Sequence, residues 1–195
     1  KKLLGCIMSV TDISVLVQRL QNASLGTAAP NQATIVMAGC FIFAWSNYER
    51  LCLKGLGEIL ENNKKKTYQQ CIEAFIGTTV QPNSDFSSFE KAYGHFRDRY
   101  AEGLGVTMHF GPMVGQDEAA AKAIKSVFIS QPGATTEKLR ALLLIAYRLR
   151  GNLVHGNKWT TGLSDQYENL HQATQVLLGV VEQFSPVSAE IKKSI

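Results

Sequence analysis

From Glu137 to Val154 the chain places Leu139, Leu142, Ala146, Leu149 and Leu153 on one helical stripe, and Leu143, Leu144 and Ile145 add apolar surface on the other sides. Such a segment forms a helix whose front half is covered on most of its circumference. It needs neighbours on several sides, so the rest of the chain must supply them. Thr135 or Thr136 is placed to cap its start and Gly156 to end it.

The same spacing recurs elsewhere. Ala33 to Trp45 is apolar for about 13 residues, too short to span a bilayer, and reads as buried helix. It opens a first core helix over about Thr34 to Glu61. This helix is expected to be central because its first half is apolar all round. A shorter helix is expected over Thr67 to Phe75. Another runs from Phe86 to Tyr100, where Phe89, Tyr93, Phe96 and Tyr100 recur at helical spacing. That stripe reads as core packing rather than base stacking. Gln116 to Ser130 gives a fourth helix. The last begins after Ser164, with Asp165 and Glu168 in its first turn and Leu170, Ala173, Leu177, Val181 and Phe184 on its core face. Gly, Pro, Asn and Ser collect between these segments. Thr107 to Phe110 alternates weakly between Gly residues, and no strand is expected. The fold class is therefore all-α, a bundle with the first, fifth and sixth helices central. Residues 1–195 read as one domain with its core over about 32–185, and residues 1–30 as a helical extension.

Composition agrees with a packed domain. Of 195 residues, 45% are hydrophobic, and the net charge is a mild +4. Disorder needs the opposite balance. The four cysteines, Cys6, Cys40, Cys52 and Cys71, form no CxxC pair, and no His stands at metal spacing. Cys40, Cys52 and Cys71 sit in apolar helical patterns and are expected to be buried thiols, which suits a reducing cytoplasm. Leu3-Leu4-Gly5-Cys6 resembles a lipoprotein box, but the apolar segment before it is too short for a signal. No membrane association is expected.

The chemistry concentrates at the end of the Glu137–Val154 helix. Lys138 to Ser164 holds Lys138, Arg140, Arg148, Arg150 and Lys158 and no acidic residue, in a chain with 16 acids. Here a buried helix ends by presenting Arg, Asn and His. Arg binds phosphate through a planar fork of donors. His155 exchanges a proton near neutral pH. Asn152 suits a ribose or base edge, or fixes the His tautomer. These parts serve RNA cleavage without metal or other cofactor. A base takes the 2′-OH proton, the 2′-oxygen attacks the adjacent phosphate, Arg stabilises the added charge, and an acid protonates the leaving 5′-oxygen. A 2′,3′-cyclic phosphate remains.

Tyr147-Arg148-Leu149-Arg150-Gly151-Asn152-Leu153-Val154-His155-Gly156, followed by Lys158, resembles the Arg-x4–6-His signature of the HEPN superfamily, many members of which are ribonucleases. The segment Trp45 to Arg50, with Glu49, is similar to a polar patch on the first core helix of some members. The likeness covers roughly residues 136–182 and 35–52. It implies an all-α bundle and a homodimer in which two motifs face each other, so that two copies of His155 supply the acid and the base. It also implies an RNA substrate, a toxin or phage-defence role, and an antitoxin protein as a partner. On that reading Arg150, His155 and Asn152 are catalytic, and Arg148, Lys158, Tyr147 and Glu49 contact substrate. The alternative is a non-catalytic module of the same superfamily that binds RNA, a nucleotide or a protein.

Helix geometry leaves the motif arginine open. At about 100° per residue Arg148 and His155 nearly eclipse, Asn152 lies about 60° from His155, and Arg150 points about 140° away. The family spacing of four selects Arg150, and a spacing of six selects Arg148. Other features have plainer readings. His95, His109 and His171 are expected to be surface or structural. Lys64-Lys65-Lys66 is read as a solvated run, and Trp159 as a pin for its loop rather than a base-stacking platform. No G-x-S-x-G, Walker A or dinucleotide fingerprint is present.

Overall fold

The computed structural model describes residues 14–15, 18–19, 31–53, 67–129, 133–154 and 163–185. His155, Gly156, Lys158, Trp159, Lys64 to Lys66 and Cys6 lie outside them. The fold is all-α.

Helix α1 spans Gln32–Tyr48. Asn31 starts it, its side chain accepting from the Thr34 amide at 2.8 Å. The chain then widens into a π-helical turn, Glu49–Leu53. Thr34, Ala38, Phe41, Ala44, Trp45 and Tyr48 point inward. The opposite side does not, which corrects the expectation of burial all round: Val36 is 47% and Phe43 71% exposed, and Cys40 is an exposed thiol. Among the described residues the neighbouring helices cover one side of α1, and apolar patterning alone cannot say which side that is. Cys52 and Cys71 are buried, as expected.

Helix α2, Tyr68–Thr79, starts in a reciprocal capping box between Thr67 and Gln70. It runs a turn beyond its expected end because Ile76 is also buried. A 3-10 turn, Ser87–Phe89, leads into α3, Glu90–Tyr100. Phe89, Tyr93, Phe96 and Tyr100 are all buried, and Phe96 stacks on Tyr100 with centroids 6.0 Å apart.

The expectation of no strand needs a small correction. Ala101–Glu102 (β1) and Gly105–Val106 (β2) pair antiparallel. Gly103, at φ 56°, makes the tight turn between them. Short α4, Phe110–Val114, follows. Asp117 then accepts from the Ala120 amide at 3.0 Å and opens α5, Glu118–Ile129.

Helix α6, Thr135–Val154, is the apolar helix read first from the sequence. Neither threonine caps it. Thr135 is already helical and its hydroxyl donates to the Ser84 carbonyl, while Glu137 accepts from the Ala134 amide at 3.1 Å. Leu139 and Ala141 to Ala146 are buried on every side. A 3-10 turn, Leu163–Gln166, precedes α7, Tyr167–Phe184. The broadest packing is between α1 and α7; α7 also packs on α6, which α2 and α5 flank. Of the three helices expected to be central, α6 and α7 pack on several neighbours, whereas α1 packs mainly on α7. No helix among the described residues is long and apolar enough to cross a membrane.

Candidate functional site

The last turns of α6 stay helical through Gly151 to Val154. Leu149, Asn152 and Leu153 turn inward, and Tyr147, Arg148 and Arg150 are half-buried at the surface. Arg148 and Arg150 point about 160° apart around the axis, and they meet different surroundings.

Arg148 meets Asp117, with Nη1 3.5 Å from Oδ2 and side chains 22% and 16% exposed. The same carboxylate oxygen accepts from Gln69 Nε2 at 2.6 Å, so Arg148, α2 and the start of α5 share one carboxylate. Gly115 lies close by: a Cβ there would stand 3.0 Å from Arg148 Nη2, and its φ of 57° favours glycine in any case. Asn152 is 8% exposed, and its amide donates to the Met113 carbonyl at 3.2 Å. That bond fastens α4 to α6.

Arg150 lies elsewhere. Its guanidinium covers the Tyr68 ring, 5.6 Å from the centroid. Tyr68, Tyr147 and Trp45 form an aromatic triangle with centroids 5.8 to 6.3 Å apart. Glu49, carried by the π turn, closes the group. Tyr68 donates its hydroxyl to Glu49 Oε1 at 2.6 Å, and Trp45 Nε1 donates to Oε2 at 3.1 Å. The hydrogen bond to Glu49 and partial burial hold the Tyr68 hydroxyl above its usual range, while Arg150 pulls it down. Among the described residues Arg150 makes no ion pair. Among the described residues no partner takes its donors, whereas those of Arg148 are partly committed.

The structure therefore brings together Glu49, Tyr147 and Arg150 of the expected site residues. It places Arg148 and Asn152 on other sides of α6, each with a protein partner. His155 and Lys158 lie outside the described residues. Sequence reasoning missed Tyr68, Gln69 and Asp117. No local signal marks them, since only the packing of α2 and α5 on α6 brings them near. Trp45 both closes the apolar run and opens the segment similar to the polar patch, and its indole N–H is the polar handle that fixes Glu49.

Other sequence features fall into place. His95 Nε2 is 2.9 Å from Asn169 Oδ1, and His171 Nδ1 is 3.7 Å from Glu168. Burial pushes the Cys52 thiol up to about 12, so it is no nucleophile. Among the described residues no group of three His, Cys, Asp or Glu side chains is placed to hold a metal ion. No family model, curated protein or solved structure matches the chain.

Proposed function

We infer that the chain is a metal-independent endoribonuclease that cleaves RNA through attack of the ribose 2′-oxygen. The reading rests on the resemblance of Tyr147 to Lys158 to the HEPN signature. The observation that favours Arg150 as the motif arginine is its freedom from any ion pair among the described residues, at the surface and beside Glu49. Arg148, held by Asp117, is the poorer phosphate ligand.

In this mechanism Arg150 receives the phosphate and stabilises the charge of the pentacoordinate transition state. The stack on Tyr68 restrains the guanidinium before substrate arrives, so less entropy is lost on binding. Glu49 keeps the Tyr68 ring in place through its hydroxyl. Tyr147 and Lys158 flank the strand. One His155 takes the 2′-OH proton, and a second His155, from a facing protomer, protonates the leaving 5′-oxygen. Asn152 acts as a positioning residue, holding α4 against the helix that ends in the motif. The setting is the cytoplasm, in a toxin or defence role that an antitoxin protein restrains.

A second reading has its own support. Arg148 and Asn152 are both engaged with protein atoms, as they would be in a module that binds RNA, a nucleotide or a protein without cutting. The two readings separate on product chemistry. Incubation of 5′-labelled RNA in EDTA, with analysis of the new 3′ ends, gives 2′,3′-cyclic phosphates on the first reading. Intact RNA bound by the protein supports the second.

A further inference from the structure

A second polar cluster lies away from Arg150. The end of α3 and the strand after it present His95, Asp98, Arg99 and Glu102, and the turn after the hairpin adds Thr107 and His109. Together they line an open groove of about 620 Å3, within the range of roughly 300–1,000 Å3 usual for small-ligand sites. The far wall is fixed to the near one: the Thr107 hydroxyl donates to the Arg99 carbonyl at 2.5 Å, and the Thr107 amide to the Tyr100 carbonyl at 3.1 Å.

The groove has donors without partners. Among the described residues the Arg99 guanidinium makes no ion pair, and its buried Nε has no hydrogen-bond partner. A guanidinium with no carboxylate partner can receive an anion through its terminal nitrogens. The exposed His109 ring adds a donor.

The groove also has acceptors. Asn169 Nδ2 donates to Gln166 Oε1 at 2.9 Å, so its Oδ1 must accept from His95. His95 Nε2 is then the donor of that bond, and in the neutral ring Nδ1 is a lone pair. Asp98 and Glu102 are exposed carboxylates. Among the described residues Asp98 has only the exposed Arg97, at 3.8 Å, as an ion-pair partner.

A bare anion would meet those carboxylates, and a cation would meet Arg99. A ligand with both a phosphate and hydroxyls uses every group. Phosphate offers three terminal oxygens, enough for the Arg99 fork and for His109 together, where a carboxylate offers only two. We propose that this groove binds a small phosphorylated polyol, its phosphate on Arg99 and His109 and its hydroxyls on His95, Asp98 and Glu102. The site is independent of the ribonuclease reading and of Arg150.

The test follows the imidazole NMR signals of His95 and His109 in the full chain during titration with ribose 5-phosphate, ribose and inorganic phosphate. Both signals shift and saturate with ribose 5-phosphate, which binds about tenfold or more tightly than either fragment. Arg99→Gln and His109→Gln each weaken binding about tenfold, and Arg150→Ala leaves it unchanged. His109 is exposed, so its variant keeps the fold if loss of Arg99 disturbs it. Absent shifts, equal binding of inorganic phosphate, or unchanged affinity in both groove variants would overturn the proposal. So would shifts produced by an oligouridylate and not by ribose 5-phosphate.

Discussion

The Arg150 guanidinium rests on the Tyr68 ring, 5.6 Å from its centroid, while the Tyr68 hydroxyl donates to Glu49. One side chain of α2 thus links the basic end of α6 to the acidic turn that follows α1. Arg148, two residues earlier, takes no part and is tied to Asp117.

The two arginines should separate in stability as they do in surroundings. Arg148→Ala breaks a charged hydrogen bond between largely covered side chains and leaves the Asp117 carboxylate without its cationic partner, at a cost of about 1.5–3 kcal/mol. Arg150→Ala removes one half-exposed cation–π contact, about 0.5–1 kcal/mol. Urea unfolding of both variants checks the order, and a larger loss at Arg150 would contradict it.

Asn152→Ala strips the Met113 carbonyl of its buried donor. The expected cost is about 1–3 kcal/mol, read as a lower urea midpoint. Hydrogen exchange should also quicken locally in α4, Phe110–Val114, because this bond fastens α4 to α6.

Glycines in the central helices differ in sign. A Cβ on Gly179 would stand 2.9 Å from the fully buried Phe89 ring. Gly179→Ala should therefore destabilise by about 1–3 kcal/mol through overpacking. A Cβ on Gly151 meets nothing within 4 Å. Gly151→Ala should stabilise α6 by about 0.5–1 kcal/mol. Thermal melts of both variants are the check.

Alkaline pH should unfold the chain. Burial raises the Cys52 thiol from 9.0 to about 12 and the Tyr100 hydroxyl from 10.0 to about 12. Burial also lifts Tyr48 well above 10.0. A raised folded-state value keeps the native groups protonated where the unfolded chain has lost its protons. The stabilisation is complete below pH 9 and is lost as pH rises toward 12. The melting temperature should fall across that window, and Cys52→Ala should flatten the first part of the fall. A flat profile in the parent chain would contradict this.

The helices of the core were legible because burial demands a repeat of about 3.6 residues, and Leu139 to Leu153 keep it. Phe89 to Tyr100 likewise read correctly as a core stripe. Less visible was which side of α1 would stay open: Val36 and Phe43 have the same apolar character as Phe41. The hairpin at Gly103 was hidden because its strands are two residues each, too short to alternate. At the site, Tyr147 and Arg150 could be read from one stretch of sequence. Their contacts with Tyr68 and Glu49 could not, because those residues reach α6 only through the packing of other elements.

The most direct test is cleavage of end-labelled RNA in EDTA by the parent chain beside Arg150→Ala, Arg148→Ala and His155→Ala. The account predicts cleavage by the parent and by Arg148→Ala, with loss of about a hundredfold or more in Arg150→Ala and His155→Ala, the scale of a lost charge-stabilising or proton-transfer group. Parent-like cleavage by either of those two variants, or no cleavage by the folded parent, would contradict it.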